Sequence, residues 1–220
     1  MSNSVAAARE GTDAMPPHTH ASELSLYSTT GARKYLNHDE RQRALAEMAK
    51  LPPDRALFCL TLAWSGARVS EVLALTPSSF QTEAGLISIR TLKRRKHHVR
   101  EVPVPPKLMK SLQLQFALSD RQRDARAANS RLWPWHRSTA WRLIKRVMHN
   151  VVIRGRHASP RGLRHAFGVS TLQSGVPLNL TQRWLGHAQV STTAIYTDAI
   201  GREERTFAQR FWDRSALKGR

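Results

Sequence analysis

The sequence predicts a mainly α-helical fold that carries a small antiparallel β-sheet. Three observations predict it. From Asn37 onward most apolar residues recur at spacings of three and four, the period of a helix with one buried face. Between Leu86 and Val104 the period shortens to two, as in half-buried strands. Helix punctuation separates the apolar runs: Asn37 with Glu40, Pro52 and Pro53, Gly66, Gly175 before Pro177, and Gly186. Runs of helices around one hairpin argue for a mainly α domain with a small sheet.

The chain has 220 residues, enough for one domain or one plus a small appendage, and 40% of them are hydrophobic, as in a soluble globular protein. Lys and Arg number 35 against 16 Asp and Glu, a formal charge of +19. Such an excess points to a polyanionic partner and to binding that weakens steeply with salt. The basic residues are spread over many segments and not gathered on one amphipathic helix, which favours nucleic acid over lipid. A ribosomal or packaging role is the plainer alternative at this level.

Cys59, the only cysteine, lies in the apolar run L-F-C-L-T-L-A-W. It reads as a buried small hydrophobe in a chain that can form no internal disulfide, which fits a reducing compartment. The run is too short to cross a bilayer, and the N-terminus lacks a basic region followed by an apolar core. A cytoplasmic, nucleoid-associated protein with no membrane partner is expected.

Residues 1–22 are small, polar and broken by Pro16 and Pro17, and read as a flexible tail. His18 and His20 have no carboxylate or cysteine at ligand spacing, so no metal site is expected there. Residues 23–36 read as a short linker or arm, 37–212 as the folded domain and 213–220 as a basic tail. Asn37 with Glu40 forms a capping box for a helix through Leu45 and Met48 to Leu51. Pro52 and Pro53 open the next helix, which ends at Gly66. In G-A-R-V-S-E-V-L-A-L, Val69, Val72 and Leu73 mark a buried face, Arg68 stands at the helix start and Glu71 three residues on. By spacing alone this is an ordinary surface ion pair.

Ile87, Ile89 and Thr91 alternate with polar neighbours, and R-E-V-P-V-P follows the basic L-K-R-R-K-H-H-V, a β-hairpin with a charged tip. Lys107 to Phe116 reads as a helix, Ser119 to Ser130 as a polar connector, and Trp133, Pro134 and Trp135 as a packed corner. Trp141, Ile144, Met148 and Val151 repeat at helical spacing, with Arg142, Lys145 and Arg146 turned toward solvent or phosphate.

The stretch Ser159 to Tyr196 carries the chemistry. Pro160 suits a first helical turn, and Arg161 and Arg164, three apart, share the side away from Leu163. Gly175 and Pro177 end that helix. A second runs through Leu178, Leu180, Trp184 and Leu185 to Gly186, leaving His187 just beyond its end. Ser191 can cap a third short helix through Thr192 and Thr193 that holds Tyr196 about one turn on. A last helix, Glu203 to Trp212, shows Phe207 and Phe211 on one face.

R-G-L-R-H, L-G-H and T-T-A-I-Y stand in the order of the active-site motifs of the tyrosine recombinases, the phage integrase family, which this chain resembles from about Leu36 to Trp212. The resemblance implies catalytic roles for Arg68, in the first arginine box, for Arg161, Arg164 and His187, and for Tyr196 as nucleophile. Glu71 and His165 would support the site from behind. The family's catalytic lysine rides on such a hairpin, which selects Lys93, with Lys96 as the alternative. Arg94, Arg95, Lys96, Arg100, Arg142, Lys145 and Arg146 are the DNA-binding candidates. The position commonly histidine is Arg161 here, which weakens an acid/base role there.

What the resemblance implies is site-specific recombination: cleavage and rejoining of double-stranded DNA through a covalent 3′-phosphotyrosyl link, without metal, ATP or other cofactor. The working unit would be a homo-tetramer on paired sites, with an accessory DNA-binding protein as a possible partner. Too few residues precede Asn37 for the separate helical DNA-binding domain most members carry, a shortness similar to the fimbrial phase-variation recombinases. A relaxing enzyme of the type IB topoisomerase kind and an inactive DNA-binding relative are the alternatives.

Overall fold

The computed structural model describes residues 25–91, 98–197 and Trp212. Helix α1 spans His38–Ala49, opened by the expected capping box: Asn37 Oδ1 accepts from the Glu40 N–H, and the Glu40 carboxylate accepts from the Asn37 N–H. Helix α2, Pro53–Ser65, is the central element and packs against α1, α4 (Pro106–Phe116) and α8 (Pro160–Gln173). Gly66 ends α2 in the left-handed conformation, with φ 61°. A Cβ at this glycine would strike the ring of Phe167, so the turn requires Gly twice over.

After α3 (Val69–Leu73) the chain forms a three-stranded antiparallel sheet in the order β1 (Phe80–Gln81), β2 (Leu86–Arg90), β3 (Val99–Pro103). Ile87 faces Val102 and Ile89 faces Arg100. Ile87, Ile89, Val102 and Arg100 therefore share the inner face, as the two-residue period demands. The expected hairpin is present, and β1 adds a strand the alternation was too short to signal.

The expected polar connector is instead two short helices, α5 (Leu118–Arg123) and α6 (Ala125–Ala128). Leu118 is buried, and Asp124 caps α6 by accepting from the Arg126 and Ala127 N–H groups. Elements this short show no periodicity. The Trp corner holds: Trp133 packs edge-on against Phe58 and Phe116 and donates from Nε1 to the Asp54 carbonyl at 3.0 Å.

Helix α7, Arg137–Asn150, buries Ala140, Leu143, Ile144, Val147 and Met148. Trp141 is displaced from the expected buried set and stays 48% exposed, with the Lys145 ammonium over its ring. Helices α8, α9 (Leu178–Leu185) and α10 (Ser191–Ala194) complete the described fold. Val190, not Ser191, occupies the position before α10, without a side-chain cap. The predicted last helix lies outside the described residues except for Trp212.

Packed structure begins earlier than Asn37. Leu26 is fully buried, Tyr35 and Leu36 nearly so, and Tyr27 bridges to Arg33. Arg33 binds Glu40 through both terminal nitrogens, tying the arm to α1. Leu26 and Tyr35 join Phe167, Val169, Leu172, Leu185, Ile195 and Tyr196 in a second, smaller core. The arm thus helps to seat the tyrosine.

Candidate active site

The site is built where four chain turns meet. Arg68 precedes α3, its backbone N–H donating to Glu71 Oε2 and its guanidinium to Glu71 Oε1, both at 2.9 Å. The other side of that carboxylate is held by Arg100, whose Nη2 lies 2.7 Å from Oε2. Burial would raise the Glu71 carboxyl, but the hydrogen bond and charge of Arg100, joined by Arg68, hold it below the usual carboxylate range. The surface-pair reading of Arg68 and Glu71 fails because Glu71 is only 1% exposed.

Arg164 projects from the second turn of α8 and is 8% exposed. Its Nη1 donates to the Gly66 carbonyl at 2.6 Å and its Nη2 to the Leu185 carbonyl at 2.7 Å. Two helix C-termini thus orient it, with the negative ends of α2 and α9 turned toward a cation. Burial and the charge of Arg68 push it down to about 9, so it remains protonated at neutral pH.

Tyr196 follows α10 and is fully buried. Its ring lies against Gly168, where an added Cβ would come within 2.6 Å of Cε2. His187 stacks on it, with ring centroids 6.2 Å apart and planes 19° from parallel. His187 Nδ1 meets Thr193 Oγ1 at 2.9 Å, which gives the threonine before the tyrosine its work. His165 Nδ1 lies 3.1 Å from the Tyr196 hydroxyl. Burial raises the tyrosine hydroxyl, while Arg164, Arg161 and Arg68 pull it back down. Burial and adjacent cations push His165 down to about 4 and His187 to about 3, so both imidazoles are neutral at pH 7.

Arg68, Arg161, Arg164, His187 and Tyr196 line one cleft of about 510 Å³, so the sequence-predicted set, apart from the lysine, is brought together. Lys93, Arg94, Arg95 and Lys96 lie outside the described residues. Arg161 is exposed at the cleft rim and also lines a neighbouring hollow with Ser28, Lys34, Arg156 and Ser159. Arg142 and Arg146 are exposed but line a different cleft beside Trp135. Lys145 turns inward and donates to the Ala158 carbonyl at 2.9 Å.

Arg100 requires a correction. Strand parity with Val102 puts it on the inner face, where its side chain is wholly buried and donates to Glu71, Thr91 Oγ1 and the Trp184 carbonyl. It anchors Glu71 and the end of α9, and has no face left for DNA. Sequence reading also missed Arg137, the first residue of α7, which lines the same cleft as Tyr196. Its position at a helix start after His136 was the available signal.

Residues 34–202 match the model of the phage integrase family. Tyrosine recombinase XerA of Thermococcus onnurineus is 33% identical over 174 residues, 74% of this chain and 57% of that protein. XerD of Ralstonia nicotianae is 35% identical over 161 residues, 70% of this chain and 50% of that protein. The chain thus spans little more than half the length of these relatives. A crystal structure of XerA recombinase superposes with a TM-score of 0.63 at 30% identity, covering 79% of this chain and 64% of that one. The catalytic domain of bacteriophage HP1 integrase shares the fold, with a TM-score of 0.56 at 23% identity over 74% and 86% of the two chains. The family match begins in the arm, crosses the hairpin and the cleft and runs past Tyr196, and on that ground this chain belongs to the phage integrase family of tyrosine recombinases.

Proposed function

We propose that this chain carries out site-specific DNA recombination, with Tyr196 attacking a backbone phosphodiester. The observation that carries this reading is the single cleft lined by Arg68, Arg164, His187 and Tyr196. A tyrosine hydroxyl is a weak nucleophile at neutral pH and must be held in line with phosphorus while the developing charge is neutralised. Arg68 and Arg164 supply that charge from rigid positions, each donor contributing on the order of 3 kcal/mol in the transition state. With Thr193 donating to Nδ1, His187 can offer its Nε2 hydrogen to a phosphate oxygen. These groups belong to the chain itself, which is the basis for proposing that neither metal nor ATP takes part.

In the proposed step the Tyr196–phosphorus bond forms as the bond to the 5′ oxygen breaks, leaving a 3′-phosphotyrosyl link and a 5′-hydroxyl. Lys93, with Lys96 as the alternative, would give the leaving oxygen its proton. A second strand's hydroxyl then reverses the chemistry, so exchange of partners is recombination. Of two proteins of the same fold, XerH site-specific recombinase has been seen bound to a palindromic difH substrate and the Tn1549 transposon integrase in complex with a circular intermediate DNA. A homo-tetramer on paired duplex sites, with or without an accessory protein, is the assembly proposed here.

The complete burial of Tyr196 and the presence of Arg161 favour one second reading, a DNA-binding relative without catalysis. Incubation with nicked duplex from the gene's own flanks, without metal or ATP, separates the two. A denaturant-resistant adduct with the unaltered protein but not with Tyr196→Phe supports recombinase chemistry. DNA binding with no adduct on any site supports the binder.

A further inference from the structure

We propose that His165 is the group that takes the proton from Tyr196, a role that Arg161, at the position usually held by histidine, cannot fill. The inference rests on the proposed attack by Tyr196 and adds the base that attack requires. Arginine stays protonated in proteins and has no acceptor, and Arg161 lies exposed at the cleft rim. His165 Nδ1, by contrast, is 3.1 Å from the reacting oxygen, within the reach of direct proton transfer. The rings are held 5.8 Å apart by the packing of α8 on the segment after α10.

The groups that face His165 set its state. Burial opposes its protonation most, followed by Arg161 and Arg164 on its own helix and Lys34 from the arm. The Tyr196 hydroxyl lies against it, and His187 stacks on that tyrosine ring. A neutral imidazole is thereby kept ready at pH 7, with a lone pair free if Nδ1 is the unprotonated nitrogen. A phosphodiester entering between Arg161, Arg164 and Arg68 brings negative charge to those cations. It cancels part of their repulsion and strengthens His165 as a base at the moment the proton must leave. The balance is simple. The Tyr196 proton passes to Nδ1 as the oxygen–phosphorus bond forms, and the bond to the 5′ oxygen breaks with its electron pair.

Two measurements test this. The first needs no DNA: nitrogen-15 NMR of the histidine rings in the intact protein. An unprotonated Nδ1 in His165 at pH 7 is expected, with the tyrosine as donor; a proton resident on Nδ1 overturns the proposal whether or not DNA is cleaved. The second follows adduct formation on nicked duplex against pH. The unaltered protein should lose rate with unit slope on the acid side. His165→Gln, which can hydrogen-bond but not accept a proton, should slow roughly 10²- to 10⁴-fold and lose that acid limb. Arg161→His in the same background should restore part of the rate. An unchanged acid limb in His165→Gln, at any rate, would show that His165 only positions the tyrosine.

Discussion

Glu71 Oε2 and Arg100 Nη2 stand 2.7 Å apart with both side chains out of solvent, at 1% and 0% exposure. Through this pair a strand of the sheet fixes the carboxylate that in turn holds Arg68 at the cleft. A buried ion pair of this kind is weak evidence for net stability, but removing one member strands the other charge.

Glu71→Ala should therefore destabilise the fold by roughly 3–5 kcal/mol, read as a shift in the denaturant midpoint. Because the folded carboxyl lies below its ordinary value, its stabilisation is present above about pH 4.5 and fades as pH falls through the folded value. Loss of DNA cleavage should accompany the change, since Arg68 loses its anchor. Arg100→Met with Glu71→Met should recover stability without recovering cleavage.

The two half-buried histidines beside Tyr196 predict a second acid effect. In the unfolded chain each takes up a proton near pH 6.5, whereas in the fold His165 waits until about 4 and His187 until about 3. Between those limits the unfolded state binds more protons, so stability falls as pH falls. Each contributes about 3 kcal/mol by pH 4. Thermal midpoints should drop from pH 6.5 to 4, and His165→Asn with His187→Asn should flatten that drop.

Gly168→Ala tests the seat of Tyr196, the proposed nucleophile. The added methyl would lie within 2.6 Å of the Tyr196 ring, so the tyrosine has to move. Overpacking of this kind costs about 1–3 kcal/mol. Nitration of Tyr196 should become faster in the variant, and DNA binding should survive while adduct formation falls. Unchanged nitration would mean that the backbone of α8 shifts instead.

Arg156→Gln probes the hollow beside the cleft, which Arg161, Lys34 and Ser28 share. A DNA strand leaving the cleft past Arg161 would meet these cations next. The slope of log affinity against log salt should fall by about 1 on duplex DNA. Arg126→Gln, on α6 and lining neither cleft, should leave the slope unchanged.

The amino-acid order alone determined the helices with strong caps, the hairpin and the motifs of the site. Asn37 with Glu40, Gly66 and Gly186 are local devices, satisfied within a turn of backbone, so their outcome is written in neighbouring residues. The tertiary structure decided what depends on distant partners. Arg100 looked like one more cation of a basic hairpin until its strand parity and the Glu71 carboxylate, 29 residues away, made it a buried anchor. His165 read as a support behind the site until the chain returned 31 residues later to put the Tyr196 hydroxyl directly against its ring. Leu26, in what read as a short linker or arm, became part of the core around that tyrosine. The charge of a side chain can be read from sequence, but burial and pairing are properties of its surroundings, which exist only once the chain has closed.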